Sequence, residues 1–202
     1  MELLQAGSAL LPDAELNYIP GFLPQGHADT LFRLLLEQVP WRQDDIRIFG
    51  KTYPQPRLTA LYGESGRTYT YSGITMHPEP FPPALETLRN SIEEQSGHEF
   101  TTCLLNLYRD GEDSNGWHAD NERELGPNPA IASVSLGQVR AFHLKHRTDP
   151  ALRFKLLLEH GSLLLMGGAM QHHWLHQVPK TRKPVGQRIN LTFRKILAQG
   201  HQ

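Results

Sequence analysis

Arg188-Ile189-Asn190-Leu191-Thr192-Phe193-Arg194 alternates without a break, with polar side chains at the even positions and Ile189, Leu191 and Phe193 at the odd ones. Successive side chains of a strand point to opposite faces, so the pattern predicts a strand with one greasy face and one polar face. Arg188, Asn190, Thr192 and Arg194 then line up together. Such a strand either sits at an exposed edge with its arginines in water or turns its polar face inward. The inward arrangement requires anions, because a buried unpaired charge is far too costly. A small dicarboxylate would offer one carboxylate to each arginine.

Upstream of this strand the β-type pattern recurs over residues 100–108, 130–136, 140–145, 152–158, 162–166 and 173–177, with turn residues between the runs. Short strands at this spacing predict a mainly β fold, a double-sheet barrel or jelly roll rather than a parallel α/β sheet. Two amphipathic helices precede it. Residues 24–39 place Leu31, Leu34, Leu35 and Gln38 at helical spacing and stop before Pro40, and residues 82–95 repeat the pattern with Leu85, Leu88 and Ile92 ahead of Gly97. Between them, residues 41–76 are rich in Tyr and Thr and broken by Gly50, Pro54, Pro56, Gly63, Gly66 and Gly73. This predicts a β-rich lid of short strands and loops. The expected organisation is one α+β domain over residues 1–202, with the lid at 41–76 and a catalytic core at 100–197.

Composition narrows the chemistry. With Cys103 as the sole cysteine, an internal disulfide and a cysteine-based zinc or iron–sulfur site are both excluded. Any metal must be held by nitrogen and oxygen, and eleven histidines supply candidates. The net charge of −1 means that any nucleic-acid contact must be local. Charge is uneven, however: from His160 onward there is no Asp or Glu, while Lys180, Arg182, Lys183, Arg188, Arg194 and Lys195 all lie there. No run of about 18 apolar residues could cross a bilayer, and Met1 to Leu11 lack a basic signal region. A monomer without membrane contact is expected, cytoplasmic or nuclear and not secreted.

Gly116-Trp117-His118-Ala119-Asp120 puts an imidazole and a carboxylate two residues apart after a glycine-bearing loop. In extended chain, residues i and i+2 face one side, so both can grip one ion. A second histidine from a distant strand would complete the two-His-one-carboxylate triad of non-haem Fe(II) oxygenases, which leaves open positions on the metal. His172, His173 and His176 are all candidates, and spacing does not choose among them.

Taken together, His118-x-Asp120, His176 within the stretch WLHQVP (residues 174–179), and Arg188-x-Asn190-x-Thr192-x-Arg194 resemble the ordered signature of the AlkB family of Fe(II)- and 2-oxoglutarate-dependent dioxygenases. The likeness extends through CLLNLY (103–108), NEREL (121–125) and IASVSL (131–136), and covers residues 46–197. The resemblance implies a double-stranded β-helix and selects His176 as the third iron ligand. It also implies that Asn106, Tyr108, Arg188, Asn190 and Arg194 hold 2-oxoglutarate. The implied reaction is oxidative removal of alkyl groups from bases such as 1-methyladenine and 3-methylcytosine in DNA, with O2 consumed and aldehyde, succinate and CO2 released.

The stretch IFGK (48–51), followed by Arg57, is similar to the finger hairpin of the duplex-directed branch, which implies that Phe49 fills the gap left by a flipped base. In the same way Tyr69, Tyr71, Ser72 and Glu122 are implied at the base pocket of a nucleotide-recognition lid, and Lys180, Arg182 and Lys183 at DNA phosphates. Alkylated duplex DNA is the expected partner. The competing expectations are an RNA or single-strand demethylase with the same iron site, a protein or small-molecule hydroxylase, and a non-catalytic nucleic-acid-binding module.

Overall fold

The structure, a computed structural model, describes residues 1–48, 51–64, 69–71 and 74–197. The chain begins with β1 (Glu2–Leu3), β2 (Gly7–Leu11), β3 (Ala14–Ile19), α1 (Gln25–Gln38), β4 (Asp45–Ile48), β5 (Lys51–Pro54), β6 (Leu58–Gly63), β7 (Tyr69–Tyr71), β8 (Ile74–Met76) and α2 (Pro83–Ser96). It continues with β9 (Thr102–Tyr108), β10 (Asn115–His118), a 3-10 turn (Arg123–Leu125), β11 (Ile131–Gly137), β12 (Arg140–His146), β13 (Arg153–Leu158) and β14 (Ser162–Gly167). A single helical turn α3 (Met170–His173), β15 (Trp174–Val178) and β16 (Arg188–Arg194) complete it. A seven-stranded sheet runs in the order β2-β3-β14-β11-β16-β9-β6, and a five-stranded one in the order β1-β13-β12-β15-β10. The fold is mainly β, a jelly roll flanked by helices.

The alternating strand lies deep inside. β16 pairs antiparallel with β11 on one side and β9 on the other, and all seven of its residues are buried. Its two faces divide the protein's interior. Ile189, Leu191 and Phe193 join Ala28 and Leu35 of α1 and Leu85, Leu88 and Ile92 of α2 in one apolar cluster, so the greasy face meets the helices. Each such side chain removed from water contributes about 1.5–3 kcal/mol. The polar face looks the other way, toward the five-stranded sheet. There a second cluster, including Leu104, Phe142, Leu144, Leu164 and Trp174, closes the space between the sheets around a polar pocket.

The helices end where local chemistry ends them. Val39 precedes Pro40 and is extended, because the proline ring disfavours helical geometry at the residue before it. Pro83 occupies the first turn of α2, where its missing N–H costs nothing, and Gly97 closes that helix at φ 70° with its N–H on Glu93 O at 2.8 Å.

Three features depart from the expectations. Residues 41–76 are not one sheet: β4–β5 and β7–β8 are separate two-stranded sheets, whereas β6 between them pairs with β9 in the main sheet. Its burial explains why, since Ala60, Leu61 and Tyr62 are all core. The β2–β3 hairpin, not foreseen, extends the large sheet beyond β14. Finally, the strand expected at 173–177 starts at Trp174, with His172 and His173 in the helical turn before it. Among the described residues no helix is long and apolar enough to cross a membrane.

Candidate metal centre

β10 and β15 lie side by side with an irregular register, which brings His118 directly opposite His176. Asp120, just past the end of β10, completes a cluster whose ligand atoms all lie within 4.8 Å of one another. Asp120 and His176 are buried and His118 is half-buried. Each group is held from behind. His118 Nδ1 is 2.7 Å from Gly116 O, which can only accept, so the proton sits on Nδ1 and Nε2 presents its lone pair. Asn115 Nδ2 lies 3.1 Å from that Nε2. The His176 ring stacks on Phe142 at 5.2 Å. The Asp120 backbone N–H donates to Gln171 Oε1 at 2.9 Å, and Asp120 Oδ1 accepts from Arg194 Nη2 at 2.8 Å.

These surroundings set the protonation states that a cation requires. Burial, then the neighbouring His118, pushes His176 down to about 3, and burial likewise lowers His118. Burial alone would raise Asp120, but Arg194 and the two imidazoles outweigh it and bring the carboxyl to about 2. At neutral pH the cluster is two neutral imidazoles and one carboxylate, ready to bind metal without losing protons.

The polar face of β16 supplies the rest of the pocket. Arg188 is fully buried and donates through Nη2 to Ser135 Oγ at 2.9 Å, while its Nε and Nη1 have no hydrogen-bond partner among the described residues. Its guanidinium lies 5.2 Å from the Tyr108 ring, and burial lowers it to about 10, still charged at neutral pH. Asn190 donates to Ser133 Oγ at 2.9 Å. Asn106 Oδ1 accepts from Arg57 Nε at 2.7 Å, which leaves the Asn106 amide hydrogens as its donors.

The model of the 2OG-Fe(II) oxygenase superfamily matches residues 15–194, nearly the whole chain. The chain belongs to that superfamily. Among curated proteins, it is 45% identical over 191 residues to the rat alpha-ketoglutarate-dependent dioxygenase alkB homolog 3, a match covering 88% of this chain and 62% of the rat protein. It is 41% identical over 183 residues to the mouse DNA oxidative demethylase ALKBH2, covering 86% of this chain and 77% of that one. The chain thus spans less than two thirds of the first relative's length, and within the superfamily it is of the AlkB type. The solved structure of OsALKBH1 superimposes with a TM-score of 0.60 at 18% identity, covering 93% of this chain and 98% of that one, which supports the fold.

Fe(II) and 2-oxoglutarate, the metal and co-substrate in the superfamily's name, fit the residues present. His118, Asp120 and His176 offer a nitrogen and oxygen donor set in the right charge state. Arg188, a buried cation with no carboxylate partner among the described residues, calls for an anion. Among the residues expected at substrate, Arg57 is buried in the pocket wall, with Nη1 also on Ser114 O at 3.2 Å, and so props Asn106 from inside the fold. Glu122 is half-buried two residues beyond Asp120. Lys180, Arg182 and Lys183 are exposed on the loop after β15, with Lys180 3.3 Å from Glu112. Tyr69 and Tyr71 form β7, while Phe49 and Ser72 lie outside the described residues.

Of the three histidines left open by spacing, the fold brings only His176 to His118 and Asp120. The sequence reading missed several supporting groups. Ser133 and Ser135, two apart on an otherwise apolar strand, share the spacing of the polar face of β16; they stand opposite Thr192 and Asn190 and reach Asn190 and Arg188 by diagonal side-chain bonds. Gln171 and Arg140 had no such signal. Arg140 is buried and ties three loop carbonyls together, at Asp110, Asp113 and Pro179.

Proposed function

We propose that the chain is an Fe(II)- and 2-oxoglutarate-dependent dioxygenase that removes alkyl groups from N-alkylated bases in DNA. The observation that carries this reading is the buried arginine strand set against the His118–Asp120–His176 cluster: a metal triad and an anion site share one pocket between two sheets. The iron, when bound, supplies oxidation of the N-linked alkyl carbon by O2, coupled to conversion of 2-oxoglutarate to succinate and CO2, with aldehyde released as the base is restored.

The chain's own residues then do the positioning. Arg188, with Tyr108, Asn106 and Asn190, holds the co-substrate by charge and directed donors. Arg194 keeps Asp120 ionised and oriented. Phe142 and the surrounding leucines exclude water from the metal side of the pocket. Support for a nucleic-acid substrate comes from the DNA oxidative demethylase name carried by a 41% identical relative. The exposed basic loop at Lys180, Arg182 and Lys183 suits phosphates, and the half-exposed Trp117, with Lys145 Nζ 4.4 Å from its ring, adds a basic aromatic rim beside His118.

The test is anaerobic reconstitution with Fe(II), followed by succinate and aldehyde release on 1-methyladenine in duplex DNA, single-stranded DNA and RNA. Turnover dependent on the methylated base supports the proposal, and succinate release indifferent to every nucleic acid would overturn it. Duplex preference is read from Phe49→Ala. Loss on duplex alone supports a stack-filling role, and equal activity on all substrates would favour the single-strand or RNA reading.

A further inference from the structure

The basic loop that follows β15 rests on the loop that joins β9 to β10. The Thr181 N–H donates to Gly111 O at 2.9 Å, and the two backbones come so close that a Cβ on Gly111 would collide with Thr181 O and stand 3.2 Å from Thr181 Cγ2. Gly111 does not have a left-handed φ, so it is space rather than conformation that calls for glycine here.

Both loops are fixed from below and at their ends. Arg140, buried in β12, donates to Asp110 O and Asp113 O of the first loop and to Pro179 O of the second, at 2.7–3.0 Å. The Ser114 N–H donates to Pro56 O at 2.8 Å, which ties the first loop to the start of β6. The basic loop is held again at its far end, where the Gly186 N–H donates to Gln138 Oε1 at 3.2 Å and the Gln138 N–H to Gln187 O at 2.9 Å. Between these anchors Arg182 and Lys183 are exposed, and no carboxylate pairs with either among the described residues. Lys180 differs, because Glu112 lies 3.3 Å from its Nζ.

We propose that Gly111 is a positioning residue for nucleic-acid binding: it lets the β9–β10 loop mould the basic loop so that Arg182 and Lys183 stand ready for phosphates. Three cations within four residues repel one another, and a loop free to move would spread them. A loop shaped in advance also avoids the cost of ordering it on binding. Phosphate contact by Lys180 is the weakest of the three, since Glu112 already meets its charge. The proposal rests on the reading of this loop as the phosphate contact.

The experiment follows a fluorescein-labelled duplex carrying 1-methyladenine by anisotropy, with the full chain at several salt concentrations. Arg182→Ala/Lys183→Ala is expected to weaken binding and to flatten the slope of log affinity on log salt by about two. Gly111→Ala should weaken binding in the same sense and flatten the slope by up to about two, with bound iron and 2-oxoglutarate affinity as in wild type. Added to Arg182→Ala/Lys183→Ala, it should change nothing further. Arg140→Lys is the second variant: it keeps the charge but cannot span three carbonyls, so it loosens both loops without a new clash. It too should weaken binding only while Arg182 and Lys183 are present. If Arg182→Ala/Lys183→Ala bound with an unaltered slope, the phosphate reading itself would fail and the proposal with it. If that variant lost affinity while Gly111→Ala and Arg140→Lys bound as wild type, or if either weakened binding equally without the two cations, the positioning role alone would be overturned.

Discussion

At the scale of single residues, Arg194 and Arg188 share a strand face yet serve different ends of the pocket. Arg194 already holds Asp120 at 2.8 Å, so it acts on a metal ligand as well as on any anion beside it. A lysine keeps the charge but not the planar fork. Arg194→Lys is therefore expected to weaken 2-oxoglutarate binding by about 1.5–3 kcal/mol, roughly tenfold to a hundredfold, measured by calorimetry, with DNA affinity unchanged. An unaltered co-substrate affinity would remove Arg194 from that role. The metal ligands make a sharper case. His118→Ala and His176→Ala should each drop bound iron well below one equivalent, whereas His172→Ala should leave it intact, because His172 is exposed and its Nε2 lies 3.5 Å from the Asn128 backbone N–H. Iron content after anaerobic loading decides between these outcomes.

At the scale of elements, β16 carries two jobs on its two faces, and substitutions should separate them. Leu191 is fully buried against the helix layer and touches nothing in the pocket. Leu191→Ala leaves a cavity there and is expected to cost about 2–5 kcal/mol of unfolding free energy, read from urea denaturation. Co-substrate affinity of the folded protein should stay as in wild type. Ser135→Ala is the converse: it removes a hydroxyl that accepts from the buried Arg188 guanidinium. It should weaken 2-oxoglutarate binding more than it lowers stability. If Leu191→Ala moved affinity as much as Ser135→Ala did, the two faces of the strand would not be independent.

At the scale of the whole molecule, buried charges fasten loops from both sheets around the pocket. Asp113 accepts from Arg109 Nε at 2.8 Å and from the Arg109 backbone N–H at 2.9 Å, while Arg140 of the small sheet bonds the carbonyls of the same loop. Burial would raise the Asp113 carboxyl, but Arg109, through its side chain and backbone, and then Arg140 hold it below its ordinary 3.8. The ionised form is thus favoured by folding. Its contribution is complete above about pH 4 and is lost as pH falls through the lower folded value. Urea midpoints measured downward from neutral pH should fall in wild type below about pH 4 and fall less steeply in Asp113→Asn, and parallel curves would refute the assignment. Much of this architecture was readable in the chain, because periodicity is a local property. Alternation along residues 188–194 marked a two-faced strand, leucines at helical spacing marked both helices, and His118 with Asp120 marked a metal grip. Which histidine completes that grip, why Arg57 faces inward, why residues 58–63 join the main sheet, and which serines meet Arg188 and Asn190 were decided by pairing between strands far apart in sequence. Register across a barrel depends on how whole faces pack, and no local spacing encodes it.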